Sequence, residues 1–393
     1  MNIIIISYKF YPEPSPRAFR TYELVKEFCR QGHEVKLILP NKSIYQDNLY
    51  KHELLKTVYI GNKIQSKKGK KEVYRTNYNR SATLKQKILP AFFRDRFRGK
   101  YSKFINWKRD YFPPLFHKEF AKVLGKYLET EKKADIVLSI GLPIEVHLGT
   151  AKGILFNREL RKNAVTIADY GDPYFYYEGR KIFFLYFLLD YFVAKIFNYI
   201  SIPTEKAIQS YLSFKKRKKI LIIPQAVNLK GFEIQRYSKN SIPTFGYAGV
   251  LYKEVREPRD FLAYLMKLKI DFKFVFYTIK KYDTLSILND FKELLEEKII
   301  LKLNFDRKDI IREISQMDFL INFENTTSNQ VPSKLIDYAI AKRPVCPIST
   351  SDFKPRVFNE FLEGDYTNDS GIELDDSYDV KNIVNRIIDL KKA

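Results

Sequence analysis

The sequence predicts an α/β protein built from two doubly wound domains in tandem. Three observations carry that expectation. The chain opens with a strand–loop–helix–Gly–strand unit, short apolar runs alternate with helical patterns along most of its length, and a second such series starts after the Lys-rich loop at 215–219. With 393 residues there is length enough for two buried cores.

The elements follow in order. Residues 3–6 are a β-branched run and read as a buried strand. The loop "SYKFYPEPSPR" follows, then a helix with apolar residues at Ala18, Phe19, Tyr22, Leu24, Val25 and Phe28 that stops at Gly32. "HEVKLIL" is the next strand, and "ADIVLSI", "AVTIA" and "YISI" continue the series near 134–140, 164–168 and 199–202. From the second strand to residue 110 the chain is basic and aromatic, with no clear period. The domain boundary is expected at 203/204. The second domain, 204–376, then begins its strands with "ILII" (220–223) and continues with "TFGYAG", "FKFVFY", "IILKL", "DFLINF" and "RPVCPI". "EPRDFLAYLMKLK" and "RKDIIREISQM" are helical patterns between them, and 377–393 forms one more amphipathic helix. Paired doubly wound domains predict a ligand cleft at the carboxyl ends of their strands.

The net charge of +23 points to anionic partners: nucleic acid, acidic lipid or a phosphorylated substrate. From Lys63 to Arg109 there are 16 Lys and Arg against Glu72 and Asp95. Cys29 and Cys346 lie far apart and the four histidines are scattered, so a metal site is not expected and the thiols read as buried in a reducing compartment. No D-x-D triplet occurs. "NIIII" is too short for a signal peptide, and "KIFFLYFLLDYFVAKIF" is broken by Asp190 and Lys195 and too short to span a bilayer.

Four stretches carry candidate chemistry. In "NQVPSKLIDY" (329–338) a Lys stands in the first turn of a helix, where the end is already electropositive. An anion completes such an arrangement: with either Ser333 as N-cap or Pro332 as first helical residue, the backbone N–H groups of 333–336, Ser333 and Lys334 would hold a phosphate, and Asp337, on the same face, would accept from ribose hydroxyls. The alternative is a capped helix with a solvated Lys–Asp pair. In "FGYAGVLYKEVREPRDFL" (245–262), Gly249 permits close backbone approach and Arg256 is the preferred second cation. "IADYGDPYFYYEG" (167–179) ends a strand in Asp169 and Asp172 beside aromatic rings, a pattern suited to carbohydrate, although Asp169 could equally close the turn. The first βα loop offers Glu13, Arg17 and Arg20 at a helix start, without the G-x-G-x-x-G of dinucleotide enzymes.

Together these pieces resemble the GT-B glycosyltransferases, and within them glycosyltransferase family 4. "IIIISYKFYPEPSPRAFRTYELVKEFCRQGHEVKLI" resembles the family's first unit, "ADYGDPY" its D-x-x-D-P-W turn, "IIPQAVNLKGF" its "IPNGVD…F", and "VPSKLIDYAIAKRPV" its P-S-K-[LI]-[FI]-[ED]-Y segment. The resemblance implies two Rossmann-like domains facing across a cleft, the last helix (377–393) completing the first domain. It implies a donor diphosphate held by Arg256 and Lys334, a ribose held by Asp337, and an acceptor on the first domain near Glu13, Arg17 and Arg20. Asp337 matches the second acid of the family's E-x(7)-E pattern; the first falls on Asn329, which leaves the catalytic residues among Asp172, Asp169 and Asn329.

The activity implied is retaining transfer from a UDP- or GDP-type nucleotide sugar, with no metal cofactor, because cations and a helix end neutralise the leaving diphosphate. The acceptor implied is a glycan or polyprenyl-linked sugar, in surface polysaccharide or glycolipid synthesis. The basic, aromatic segment Leu84–Trp107 is expected to lie on an anionic membrane, which places the protein in the cytoplasm on the inner face of the cell membrane. A nucleotide-sugar 2-epimerase on the same scaffold is the alternative enzyme; it would release no glycoside. A nucleic-acid-binding protein is the alternative from another class, but no RNP, KH, zinc or helix-turn-helix signature occurs, so no specific nucleic acid is expected.

Overall fold

The computed structural model describes residues 1–13, 15–45, 50–64, 115–171, 176–177, 180–181, 184–211, 220–251, 257–279, 282–303, 306–324 and 333–392. The chain divides into two compact units, Met1–Val227 with Ser377–Ala393, and Asn228–Asp376.

In the first unit seven parallel strands run in the order β3-β2-β1-β4-β5-β8-β9. They are β1 (Asn2–Ser7), β2 (Glu34–Lys42), β3 (Leu55–Ile64), β4 (Ile136–Ile140), β5 (Val165–Asp169), β8 (Tyr199–Ile202) and β9 (Ile220–Ile222); β6 (Tyr176–Tyr177) and β7 (Arg180–Lys181) form a separate small hairpin. The helices are α1 (Pro16–Arg30), α2 (Lys118–Glu129), α3 (Glu145–Phe156), α4 (Arg158–Asn163), α5 (Phe184–Ile196) and the last helix of the chain, Val380–Lys392.

Side-chain alternation explains why β1 reads as an unbroken apolar run. Ile3 and Ile5 pack with Leu24, Val25 and Phe28 of α1 and Ile383, Val384 and Ile387 of the last helix. Ile4 and Ile6 point the other way, into a core with Phe120, Leu124 and Leu128 of α2. A sheet covered on both faces leaves no polar side to its strands. On that second face α2 and α3 cross closely because glycine stands at the contact. A Cβ on Gly153 would lie 2.4 Å from Leu128 Cβ, and one on Gly149 2.7 Å from the Ala121 carbonyl. α5, the most apolar helix, packs on α3. No helix among the described residues is long and apolar enough to cross a membrane.

The boundary expected at 203/204 is corrected. Ile220–Ile222, read as the first strand of the second domain, pairs instead with Ile200–Ile202 at the edge of the first sheet. The chain leaves the unit only at Val227, and there it also returns: the Val227 N–H donates to Tyr378 O and the Val380 N–H to Val227 O. β3 was not expected from the sequence, and it forms the opposite edge.

The second unit has five parallel strands in the order β12-β11-β10-β13-β14: β10 (Thr244–Ala248), β11 (Lys273–Thr278), β12 (Ile299–Leu303), β13 (Phe319–Phe323) and β14 (Val345–Ile348). Its helices are α6 (Arg259–Lys267), α7 (Tyr282–Asn289), α8 (Lys292–Glu297), α9 (Arg307–Ile314), α10 (Lys334–Ala341) and α11 (Pro355–Glu363), which makes the last helix of the chain α12. The core is aromatic: Phe245 stacks on Phe319 and Phe274 with ring centroids 5.0 and 4.9 Å away, and Phe358 meets Phe245 edge-on. Pro347 is tolerated because β14 is an edge strand.

Candidate functional site

Both sheets place their first and fourth strands side by side, β1 with β4 and β10 with β13. Strand order reverses at such a point, the flanking helices diverge to opposite faces, and the loops at the carboxyl ends open a crevice for ligands.

In the second unit β10 ends at Ala248 and β13 at Phe323, and the next helices begin at Arg259 and Lys334, so the two candidate stretches of this domain follow the strands that meet at this point. Gly249 follows β10, its N–H bound to Tyr277 O at 2.9 Å. A Cβ there would meet the buried Tyr247 hydroxyl at 2.8 Å. α10 is pinned to the strand ends by Tyr338, whose hydroxyl accepts from the Ala248 N–H (2.9 Å) and donates to Ile321 O (3.2 Å). Its first residue, Lys334, is only 8% exposed. The ammonium sits 3.5 Å from the Phe323 carbonyl at the end of β13 and 4.5 Å from the centroid of the Tyr247 ring. A cation is thus fixed at a helix N-terminus beside the switch point. Helix end and ammonium both favour an anion there.

Ser333 does not cap α10 with its side chain. Its backbone is already helical (φ −57°, ψ −24°) and its hydroxyl makes no cap bond, so of the two alternatives the side-chain cap by Ser333 is not formed. Asp337 is not a solvated acid. Arg307, the first residue of α9, donates to its Oδ1 through Nε (2.9 Å) and Nη2 (2.6 Å). The Arg307 guanidinium also lies 5.4 Å from the Phe232 ring. Nothing in the sequence singles out Arg307: it is thirty residues from its partner, and only the fold brings α9 against α10.

In the first unit Asp169 ends β5 and is 1% exposed. Arg20 grips it with two bonds, Nε to Oδ2 (2.7 Å) and Nη2 to Oδ1 (2.9 Å). Arg17 Nη1 adds a third at 3.2 Å, and the Ser201 hydroxyl donates a short fourth. Burial alone would raise this carboxyl, but Arg20 and Arg17 outweigh it and hold Asp169 below the usual range. Arg20 also donates to Pro224 O, which uses its remaining nitrogen and ties α1 to the segment after β9. Asp169 and Arg20 are therefore each other's partners. Asp169, expected among the catalytic residues, and Arg20, expected near the acceptor, are here joined in a buried clamp, desolvated and hydrogen-bonded to each other. Arg17 is the more open of the pair, its side chain 13% exposed, and its guanidinium covers Gly171, where a Cβ would lie 2.0 Å from Nη2.

Tyr170, next to Asp169, is buried, its hydroxyl 3.1 Å from Asp190 Oδ1 and its ring 4.4 Å from that of His147. Glu13 accepts from Lys42 Nζ at 2.7 Å and from the Tyr45 hydroxyl in a short bond. Asp172, Asn329, Arg256 and the segment Leu84–Trp107 lie outside the described residues.

No protein-family model matches the chain, and no curated protein matches it in sequence. Solved structures do match. HepE from Anabaena, solved with UDP and glucose, superposes at TM-score 0.58 with 7% identity, over 100% of this chain and 97% of HepE. A TarM variant from S. aureus, solved with fondaparinux, alpha-GlcNAc-glycerol and UDP, gives 0.55 and 12%, over 100% of this chain and 93% of TarM. A glycosyltransferase from Rickettsia africae gives 0.51 and 13%, over 99% and 88%. Likeness at such identities is a likeness of fold, and on that ground this chain has the GT-B fold of the glycosyltransferases it superposes on.

Proposed function

We propose that this chain is a retaining, metal-independent glycosyltransferase that moves a sugar from a nucleotide-diphosphate donor to a glycan or lipid-linked acceptor. The observation that carries the reading is Lys334: a buried cation opening α10 at the switch point of the second sheet, with the Arg307–Asp337 pair one turn further on. Such a site matches a nucleoside diphosphate. The helix end and Lys334 would meet the diphosphate, and Asp337, its Oδ1 already engaged by Arg307, would offer Oδ2 to ribose hydroxyls. Charge developing on the leaving diphosphate would be neutralised by fixed protein cations, so transfer needs no metal ion. Arg256 would supply a second cation. Positioning of the two substrates would supply much of the remaining rate. UDP and UDP-glucose in the HepE structures favour a UDP-type donor.

The acceptor we propose belongs to surface polysaccharide or glycolipid synthesis, presented at the inner face of the membrane with Leu84–Trp107 on anionic lipid. Flotation with phosphatidylglycerol vesicles tests that part: binding independent of anionic lipid would remove it.

The donor assignment is tested by a thermal-shift panel of UDP, GDP, ADP, CMP and their sugars without metal. A shift for one nucleoside diphosphate, lost in Lys334→Ala, is expected. No shift with any of them would sink the reading. A sugar-release assay with the identified donor then separates transfer, which gives a glycoside, from 2-epimerisation, which does not.

A further inference from the structure

The two switch points of this molecule are built differently. In the first sheet β1 and β4 pair at five positions, from Ile3–Ile136 to Ser7–Ile140. In the second, β10 and β13 pair at Phe245–Phe319 and Gly246–Leu320 and then part, although they run on to Ala248 and Phe323. Each keeps its outer neighbour to the end. β10 follows β11 as far as Ala248–Tyr277, and the Gly249 N–H still donates to Tyr277 O at 2.9 Å. β13 follows β14 as far as Phe323–Ile348, and the Glu324 N–H donates to Ile348 O at 2.9 Å. The second sheet is thus split along one joint, at its carboxyl end.

The register identifies the broken rung. In a parallel ladder the rung after Gly246–Leu320 joins the Ala248 N–H to the Ile321 carbonyl. The Tyr338 hydroxyl stands in that rung, accepting from Ala248 N at 2.9 Å and donating to Ile321 O at 3.2 Å. The next carbonyl along the same edge of β13 is Phe323 O, which takes Lys334 Nζ at 3.5 Å. Lys334 and Tyr338 lie one turn apart on one face of α10, and that face replaces the ladder where β10 and β13 part. Buried backbone groups need partners, and Tyr338, itself fully buried, supplies two that the parted strands no longer give each other.

A phenylalanine would fill nearly the same space. Without the hydroxyl, Ala248 and Ile321 either stay unmet or pair directly, and direct pairing closes the split. Both outcomes move the start of α10 against the strand ends, and Lys334 moves with it.

We propose that Tyr338 is a positioning residue of the donor site: its hydroxyl holds β10 and β13 apart and sets α10 at the depth where Lys334 and the N–H groups of the first turn meet a nucleoside diphosphate. The inference rests on the glycosyltransferase reading and deepens it. Tyr338 acts through Lys334 and touches no substrate.

The test is a double-mutant cycle on the full chain, with UDP and GDP as probes and titration calorimetry as the readout. Tyr338→Phe should weaken binding of the diphosphate at least tenfold. In the Lys334→Ala background the same substitution should cost less than threefold, because a residue that works through Lys334 has little left to lose once Lys334 is gone. A role in packing alone would cost the same in both backgrounds. Equal losses, or a loss below threefold in Tyr338→Phe itself, would overturn the inference. If Tyr338→Phe does not fold, amide exchange of the wild type decides. Saturating diphosphate should slow exchange at Ala248 at least tenfold more than at Phe274 of β11, and equal slowing at the two would overturn the inference. Binding of neither UDP nor GDP by the wild type is the separate failure of the donor reading, seen before any variant is made, and it takes the inference with it.

Discussion

Two helix starts in this molecule look alike in sequence and are held by different partners. Both α1 and α10 carry basic residues near the first turn, and both lie at the carboxyl end of a parallel sheet. At α1 the cations meet Asp169, a strand-end carboxylate that takes four hydrogen bonds and is buried with them. At α10 Lys334 meets a carbonyl oxygen and the face of Tyr247. A carboxylate neutralises a cation and turns it inward as structure. At α10 a carbonyl and a ring face hold the ammonium in place beside the helix end. What lies opposite a basic helix start therefore decides how its cation is held.

The comparison breaks most visibly at Asp169. Asp169→Asn leaves Arg20 buried without its carboxylate, and such losses cost about 3–5 kcal/mol. Urea denaturation should show that loss, with the UDP response of the folded fraction retained. A drop below 1 kcal/mol would mean the clamp is not structural.

The next effect belongs to Asp190, which supports Tyr170 beside the clamp. Burial pushes its carboxyl up to about 7, with the Tyr170 hydrogen bond opposing. The native state then keeps a proton that the unfolded chain releases near pH 4. Stability therefore falls as pH rises from about 4 to about 7 and levels off above. Asp190→Asn removes that slope, and at pH 8 the variant should exceed the wild type by on the order of 4 kcal/mol. Parallel denaturation curves for the two proteins across pH 5 to 8 would contradict this.

Lys334→Ala should weaken nucleoside-diphosphate binding about 10- to 100-fold, the range for a lost hydrogen bond to a charged group at about 1.5–3 kcal/mol. Titration calorimetry of both proteins measures it directly. Arg307→Ala makes the smallest change: its pair with Asp337 is partly exposed, 14% and 22%, and contributes about 1 kcal/mol or less to stability. Its effect should appear as a few-fold loss of affinity for the ribose-bearing ligand and little change in melting temperature.

The strands of both sheets were largely legible because a buried parallel strand must be apolar on both sides, as Ile3 to Ile6 show. Which sheet a strand joins was not. Ile220–Ile222 is as apolar at the edge of the first sheet as it would be in the second, and the pairing with Ile200–Ile202 has no local signature. β3 escaped notice because Lys56, Thr57 and Asn62 interrupt its pattern at the sheet edge. At the candidate site the cation and the acid of α10 were readable from spacing. Their environment was not: Tyr247, Arg307 and the Phe323 carbonyl reach them only through the fold. Arg17 and Arg20 illustrate the converse, since their charge was plain and their consumption by Asp169 was a tertiary fact.

The passage of the chain at Val227 has a consequence for biogenesis. The second unit is an insertion within the first, and Ile383, Val384 and Ile387 fill a core begun by Ile3 and Ile5. During synthesis the first unit waits, its α1 face uncovered, while some 150 further residues are made and can fold on their own. Only when α12 emerges from the ribosome is the earlier core closed. The core that synthesis begins first is thus the one it completes last.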